Sequence, residues 1–127
     1  MNLENFKKVR DQIAMMEDKN FSMASFADVI KDETGYQCGT VMCIAGWAAS
    51  MLEDVVISVD IDIVSFREND VLVSPDLLGA KFLGLTILER DFVFYGDWSD
   101  TRHLPDITKE ETVAYLDRVI GTGSVFA

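Results

Sequence analysis

Positive charge is in short supply in this chain. Eleven Lys and Arg stand against 22 Asp and Glu, giving a formal net charge of −11 with a single His. A protein that grips a nucleic-acid backbone needs a basic footprint, so direct nucleic-acid binding is not expected. An anionic bilayer surface repels such a chain as well, and no run of about 18 apolar residues is present to cross one. Residues Met1–Asn5 hold no basic stretch leading into an apolar run, so no secretory signal is expected and the cytoplasm is the expected address. Cysteine is scarce too: Cys38 and Cys43 are the whole supply, too few for a disulfide framework, and both are expected as free thiols. Proline occurs only at 75 and 105. The chain lacks a phosphate-cradling glycine loop, a Gly-x-Ser-x-Gly elbow and a His-Glu-x-x-His helix, which weighs against the common enzyme classes.

What is there is a core. Of 127 residues 49% are apolar, enough for one domain over 1–127 that needs no staples and too many for disorder. Charge is unevenly laid. Residues 34–52 carry none, whereas 53–76 hold Glu53, Asp54, Asp60, Asp62, Glu68, Asp70 and Asp76 against Arg67 alone.

The periodicity predicts a first helix over about 2–17, with Leu3, Phe6, Val9, Ile13 and Met16 on one stripe. The segment 21–26 is expected to lead into a second helix through Ala27, Val29 and Ile30, with Ser25 as its cap, and 34–37 reads as a loop. Thr40 is the expected cap of a central helix of about 40–53, apolar all round and kept slim by Ala45, Gly46, Ala48 and Ala49. From Val55 to Val64 the period changes to two, which predicts a strand; 67–70 reads as a turn and 71–73 as a short return strand. Ser74-Pro75 opens a helix ending near Gly84. Thr86 and Glu89 form a capping box ahead of a helix that buries Leu88, Phe92 and Tyr95. Thr108 and Glu111 repeat that signature before a last helix through Val113, Leu116, Val119 and Ile120. The expected fold is α+β and mostly helical: a compact bundle of five or six helices around the helix at 40–53, with a small β-ribbon over about 55–73.

The block Cys38-Gly39-Thr40-Val41-Met42-Cys43-Ile44-Ala45-Gly46-Trp47-Ala48 resembles one found in small uncharacterised proteins of bacteriophages and bacteria. Phe21 to Phe26 looks like their short upstream segment, with Phe26 where tryptophan is frequent. Leu83-Gly84-Leu85-Thr86 with Glu89, Phe94 and Trp98 looks like the downstream block, and 108–125 is similar to the closing helix. The resemblance covers about two-thirds of the chain and is weakest over the acidic 55–73. It implies a phage or prophage-type origin, hence a bacterial host's cytoplasm, and no catalytic residues to carry over.

Each candidate site has a plainer reading beside it. Cys38, placed near the start of the central helix, is a candidate nucleophile, since helix amides stabilise a thiolate; Cys43, one turn inside, reads as an inert buried thiol. His103 is a weak candidate base for Cys38, but nothing in the spacing joins them. Neither a zinc set from Cys38, Cys43 and His103 nor a calcium loop at 97–108 has the required pattern, Arg102 and Thr108 standing where glycine and glutamate belong. No metal and no cofactor are expected. Asp60 and Asp62, drawn on one strand face with Ser58, could serve as an acid–base or metal pair, and serve more simply as a solvated face that deters edge pairing. Trp98 either closes the core or, beside Asp97 and Asp100, anchors an interface.

The expected function is non-enzymatic: a phage- or prophage-type acidic protein that binds a host or defence protein with a basic surface, through Asp60, Asp62, Glu68, Asp70 and Trp98. Two alternatives stand beside it, a small thiol-dependent enzyme centred on Cys38 and a structural or homo-oligomeric protein without a dedicated ligand.

Overall fold

The computed structural model describes residues 1–31, 37–60, 63–101 and 103–127, and side chains at all of these except 29–31 and 37–40. The chain is α+β. In order it forms α1 (Leu3–Met15), β1 (Asp28–Lys31), β2 (Gln37–Val41), α2 (Ile44–Ala49), β3 (Val55–Asp60), β4 (Ile63–Glu68), β5 (Val71–Leu72), α3 (Pro75–Leu83), α4 (Ile87–Phe94) and α5 (Lys109–Thr122), with 3-10 turns at Asp18–Asn20 and Leu104–Asp106. Strands β3, β4 and β5 make an antiparallel sheet in that order, and β1 pairs antiparallel with β2 apart from it.

Side-chain caps mark most of the helix starts. Asn2 accepts a hydrogen bond from the amide of Asn5 ahead of α1, and Thr108 accepts one from Glu111 ahead of α5. Before α4 both halves of the Thr86–Glu89 capping box are formed. Gly84 and Gly123 take the left-handed conformation that closes α3 and α5, a geometry other residues adopt only with strain.

Phe6, Val9 and Ile13 on α1 are fully buried, as the stripe predicts, and meet Tyr115, Leu116 and Val119 of α5 in one apolar core. The ends of α1 are fastened as well. The Asn2 amide donates to the Leu83 carbonyl at 2.8 Å and Asn5 Nδ2 to Phe82 at 2.7 Å. Lys109 Nζ donates to the Met16 carbonyl at 2.9 Å, where the last turn of α1 leaves its carbonyls open. Helix α2 packs chiefly on α3, and touches α1 and α4. Its small residues allow the approach: a Cβ on Gly46 would lie 2.1 Å from the Phe26 carbonyl oxygen, and one on Gly79 would lie 2.7 Å from that of Ala45.

Four expectations are corrected. Residues 28–31 are strand, not helix, and 37–41 are the strand that pairs with them, so the helix placed over 40–53 is only Ile44–Ala49. The apolar run Val41-Met42-Cys43-Ile44 suits a buried strand and a buried helix equally, and pairing with β1 decides for strand up to Val41. The strand drawn through 55–64 is two strands, since Asp60 pairs with Ile63 and the ladder continues back to Val55 and Glu68. On α4 the buried residues are Val93 and Phe94, while Leu88 is 77% exposed. Apolar residues surround that helix, so its pattern selects no single stripe. The loop read at 34–37 lies mostly outside the described residues.

Candidate functional site: the acidic ribbon

The β3–β4–β5 sheet has two unlike faces. Strand register puts Val55, Ile57, Val64 and Phe66 on one side, where with Val73 they cover Met42, Ala49 and Leu78. The same register puts Val56, Ser58 and Asp60 opposite Arg67, Ser65 and Ile63 on the other side, with Leu72 beside Arg67. On this outer face Val56, Ile63 and Leu72 are 63%, 70% and 65% exposed. Side chains alternate across a strand, so every apolar residue buried below leaves its neighbour above in water.

The acids divide by what holds them. Glu68 accepts from Lys81 Nζ at 2.7 Å, a bond that ties the sheet to α3 and raises the lysine's affinity for its proton. Asp60 and Asp70 are exposed at opposite ends of the ribbon. Asp70 follows Asn69 in a two-residue reversal with positive φ at both, +52° and +66°, the backbone of a primed hairpin turn; this is the turn read at 67–70. Asp62 lies outside the described residues, so its pairing with Asp60 on one face has no counterpart here; the strand itself ends at Asp60.

The other candidates are dispersed. Trp98 is partly buried, its indole stacked on Tyr115 with ring centroids 4.3 Å apart and its Nε1–H donating to the Val93 carbonyl at 2.9 Å. Those contacts close the core. Cys38 belongs to β2, six residues ahead of the first residue of α2, so the helix amides invoked for its thiolate are not at its position. Cys43 holds the N-cap place instead, yet burial outweighs the nearby amides and pushes its thiol up to about 11. His103 is exposed, with Nδ1 3.2 Å from Asp106 Oδ2. Arg102 lies outside the described residues.

No family model, curated protein or solved structure matches this chain.

Among the described residues no three His, Cys, Asp or Glu side chains gather closely enough to hold a metal ion. None of their helices is long and apolar enough to cross a membrane. One apolar hollow of about 220 Å³, lined by Met23, Phe26, Phe94, Tyr95 and Leu104, is below the roughly 300 Å³ at which small-molecule sites begin. The ribbon holds what the candidate list drawn from the sequence left out, the exposed apolar triad Val56, Ile63 and Leu72. One signal was available: Val55 and Val56 are both apolar in an otherwise alternating run, so one of them must face out.

Proposed function

We propose that this chain is a small acidic protein of phage or prophage type that binds a host or defence protein with a basic surface, without catalysis of its own. The observation that carries the reading is the outer face of the ribbon, where Val56, Ile63 and Leu72 stand in water on a segment with seven acids to one arginine. Long-range attraction of a basic partner supplies the on-rate, and desolvation of the three apolar side chains supplies the contact area. Because Trp98 is engaged with Tyr115, anchoring falls to the aliphatic triad. Glu68, engaged with Lys81, adds to the field more than to direct contact. The resemblance of the 38–48 block supports the phage-type origin. A nucleic-acid-binding groove is a fitting target, since its charge is complementary and its function would be blocked by occupancy.

The test is affinity capture from bacterial lysate at low and moderate salt, run with the wild type and with Asp60→Asn/Asp70→Asn. A protein enriched by the wild type, released at moderate salt and reduced on the variant is the expected result. Equal capture by both chains removes the ribbon from the binding surface.

The thiol-enzyme reading rests on Cys38 alone. Alkylation of the folded protein by iodoacetamide at neutral pH tests it: rapid selective modification of Cys38 would revive it. Self-association without a ligand is tested by light scattering on the eluting peak.

A further inference from the structure

We infer that the partner engages β4 as an added strand: an extended basic segment pairs with the open part of the β4 edge and sets an apolar side chain in the groove beside it. The inference rests on the ribbon being the binding surface and specifies how that surface is used.

Strand β5 is too short for its neighbour. It pairs only with Arg67 and Glu68, and one further bond runs from the Val73 amide to the Phe66 carbonyl at 3.0 Å. Phe66 therefore turns its backbone groups toward the β5 side, and strand alternation sends those of Val64 the same way. Among the described residues no strand pairs with β4 there; β1 lies near β4 without laddering to it. Beside this stretch runs a groove of about 400 Å³ lined by Ile63, Val64, Phe66, Leu72, Val73 and Pro75. An unpaired backbone edge next to an apolar groove is the arrangement used in strand addition, with main-chain bonds giving affinity and the groove selecting alternate side chains.

Charge chooses the occupant. Asp60 pairs with Ile63 and Asp76 follows Pro75, so a carboxylate adjoins the groove lining on the β3 side and on the α3 side. A second copy of this chain would bring another net charge of −11 against the first, whereas a segment alternating Lys or Arg with aliphatic residues brings the opposite sign.

The probe is a short peptide alternating Lys with Val, compared with the same sequence N-methylated at every backbone amide, which has equal charge but cannot donate in a ladder. Expected are binding of the Lys-Val peptide in physiological salt, slowed hydrogen exchange at the Val64 amide of the wild-type protein, and about tenfold weaker binding to Val64→Pro, which removes that amide. In the β3–β4 ladder Val64 faces Val59, and its amide points away from β3, so the substitution spares that ladder. Hydrogen exchange on the wild type gives an answer even if the variant does not fold. Equal binding of the two peptides, with weaker binding of both to Asp60→Asn/Asp70→Asn, would overturn strand addition and leave the acidic ribbon standing. Binding of the Lys-Val peptide without protection of Val64 would overturn it too. No binding of either peptide, together with a capture that ignores the Asp substitutions, would sink both readings.

Discussion

The helical core and the ribbon solve the same packing problem to different depths. In the core Phe6, Val9, Ile13, Tyr115, Leu116 and Val119 are enclosed on every side, and the closest approaches depend on missing atoms at Gly46 and Gly79. The ribbon is enclosed on one face only, with Phe66 inside and Val56, Ile63 and Leu72 outside. Close packing makes a core sensitive to single atoms, while an exposed face tolerates change that alters only what it meets. Stability and the proposed binding are thus separable in this protein, residue by residue.

The sharpest attack on that separation is Gly46→Ala. Its Cβ would collide with the backbone oxygen of Phe26 and the Cβ of Met42, neither of which can turn away. We expect a loss of about 3 kcal/mol or more, or failure to fold, read by chemical denaturation. A tolerated alanine would mean that the core is looser than the ribbon.

Alkaline pH comes next. Burial holds Cys43 protonated, moving it from an ordinary 9.0 to about 11. The folded protein therefore keeps a proton that the unfolded chain loses, and stability falls as pH rises through 9 to 11. Two units correspond to roughly 3 kcal/mol across that window. Tyr115 is shifted upward as well, chiefly by burial, and adds to the fall at higher pH. Cys43→Ala should lose less stability between pH 8 and 11 than the wild type; an equal loss would assign the whole effect elsewhere.

Tyr115→Phe is smaller. The hydroxyl donates to the Val125 carbonyl at 2.8 Å, and its removal strands a buried acceptor at a cost of about 1–2 kcal/mol. Trp98 fluorescence should follow the same unfolding transition in the variant, since its stacking on the ring is kept. Smallest of all, Ile63→Ser and Leu72→Ser should change stability by no more than about 0.5 kcal/mol while weakening capture of the partner. A large loss of stability from either would show that the outer face supports the fold.

The parts legible in the sequence were those fixed by local chemistry. Thr86 with Glu89, Thr108 and Gly84 act on amides and carbonyls within a turn of themselves, so the starts of α4 and α5 and the end of α3 can be read without the fold. Residues 28–31 and 37–41 become strands because they pair with each other, a partner that no local window contains. The reversal between Asp60 and Ile63 went unseen because alternation runs through it with no glycine or asparagine to punctuate it. For the candidate site, the acids were visible as composition, but the Glu68–Lys81 bond and the Trp98–Tyr115 stack arise only when α3, α4 and α5 are in place.

The fastening of α1 also sets a timetable. This helix is made before its partners, yet its N-terminal end is bound to Phe82 and Leu83, Arg10 reaches Asp117 at 2.8 Å, and its last carbonyl turn is held by Lys109. Each of those partners is made 77 or more residues later. A nascent chain ending short of α5 has an amphipathic helix with its apolar stripe uncovered, a state that chaperones and other chains can engage. Folding around α1 is therefore held back until α5 has been made, and contacts of such long sequence separation slow it further.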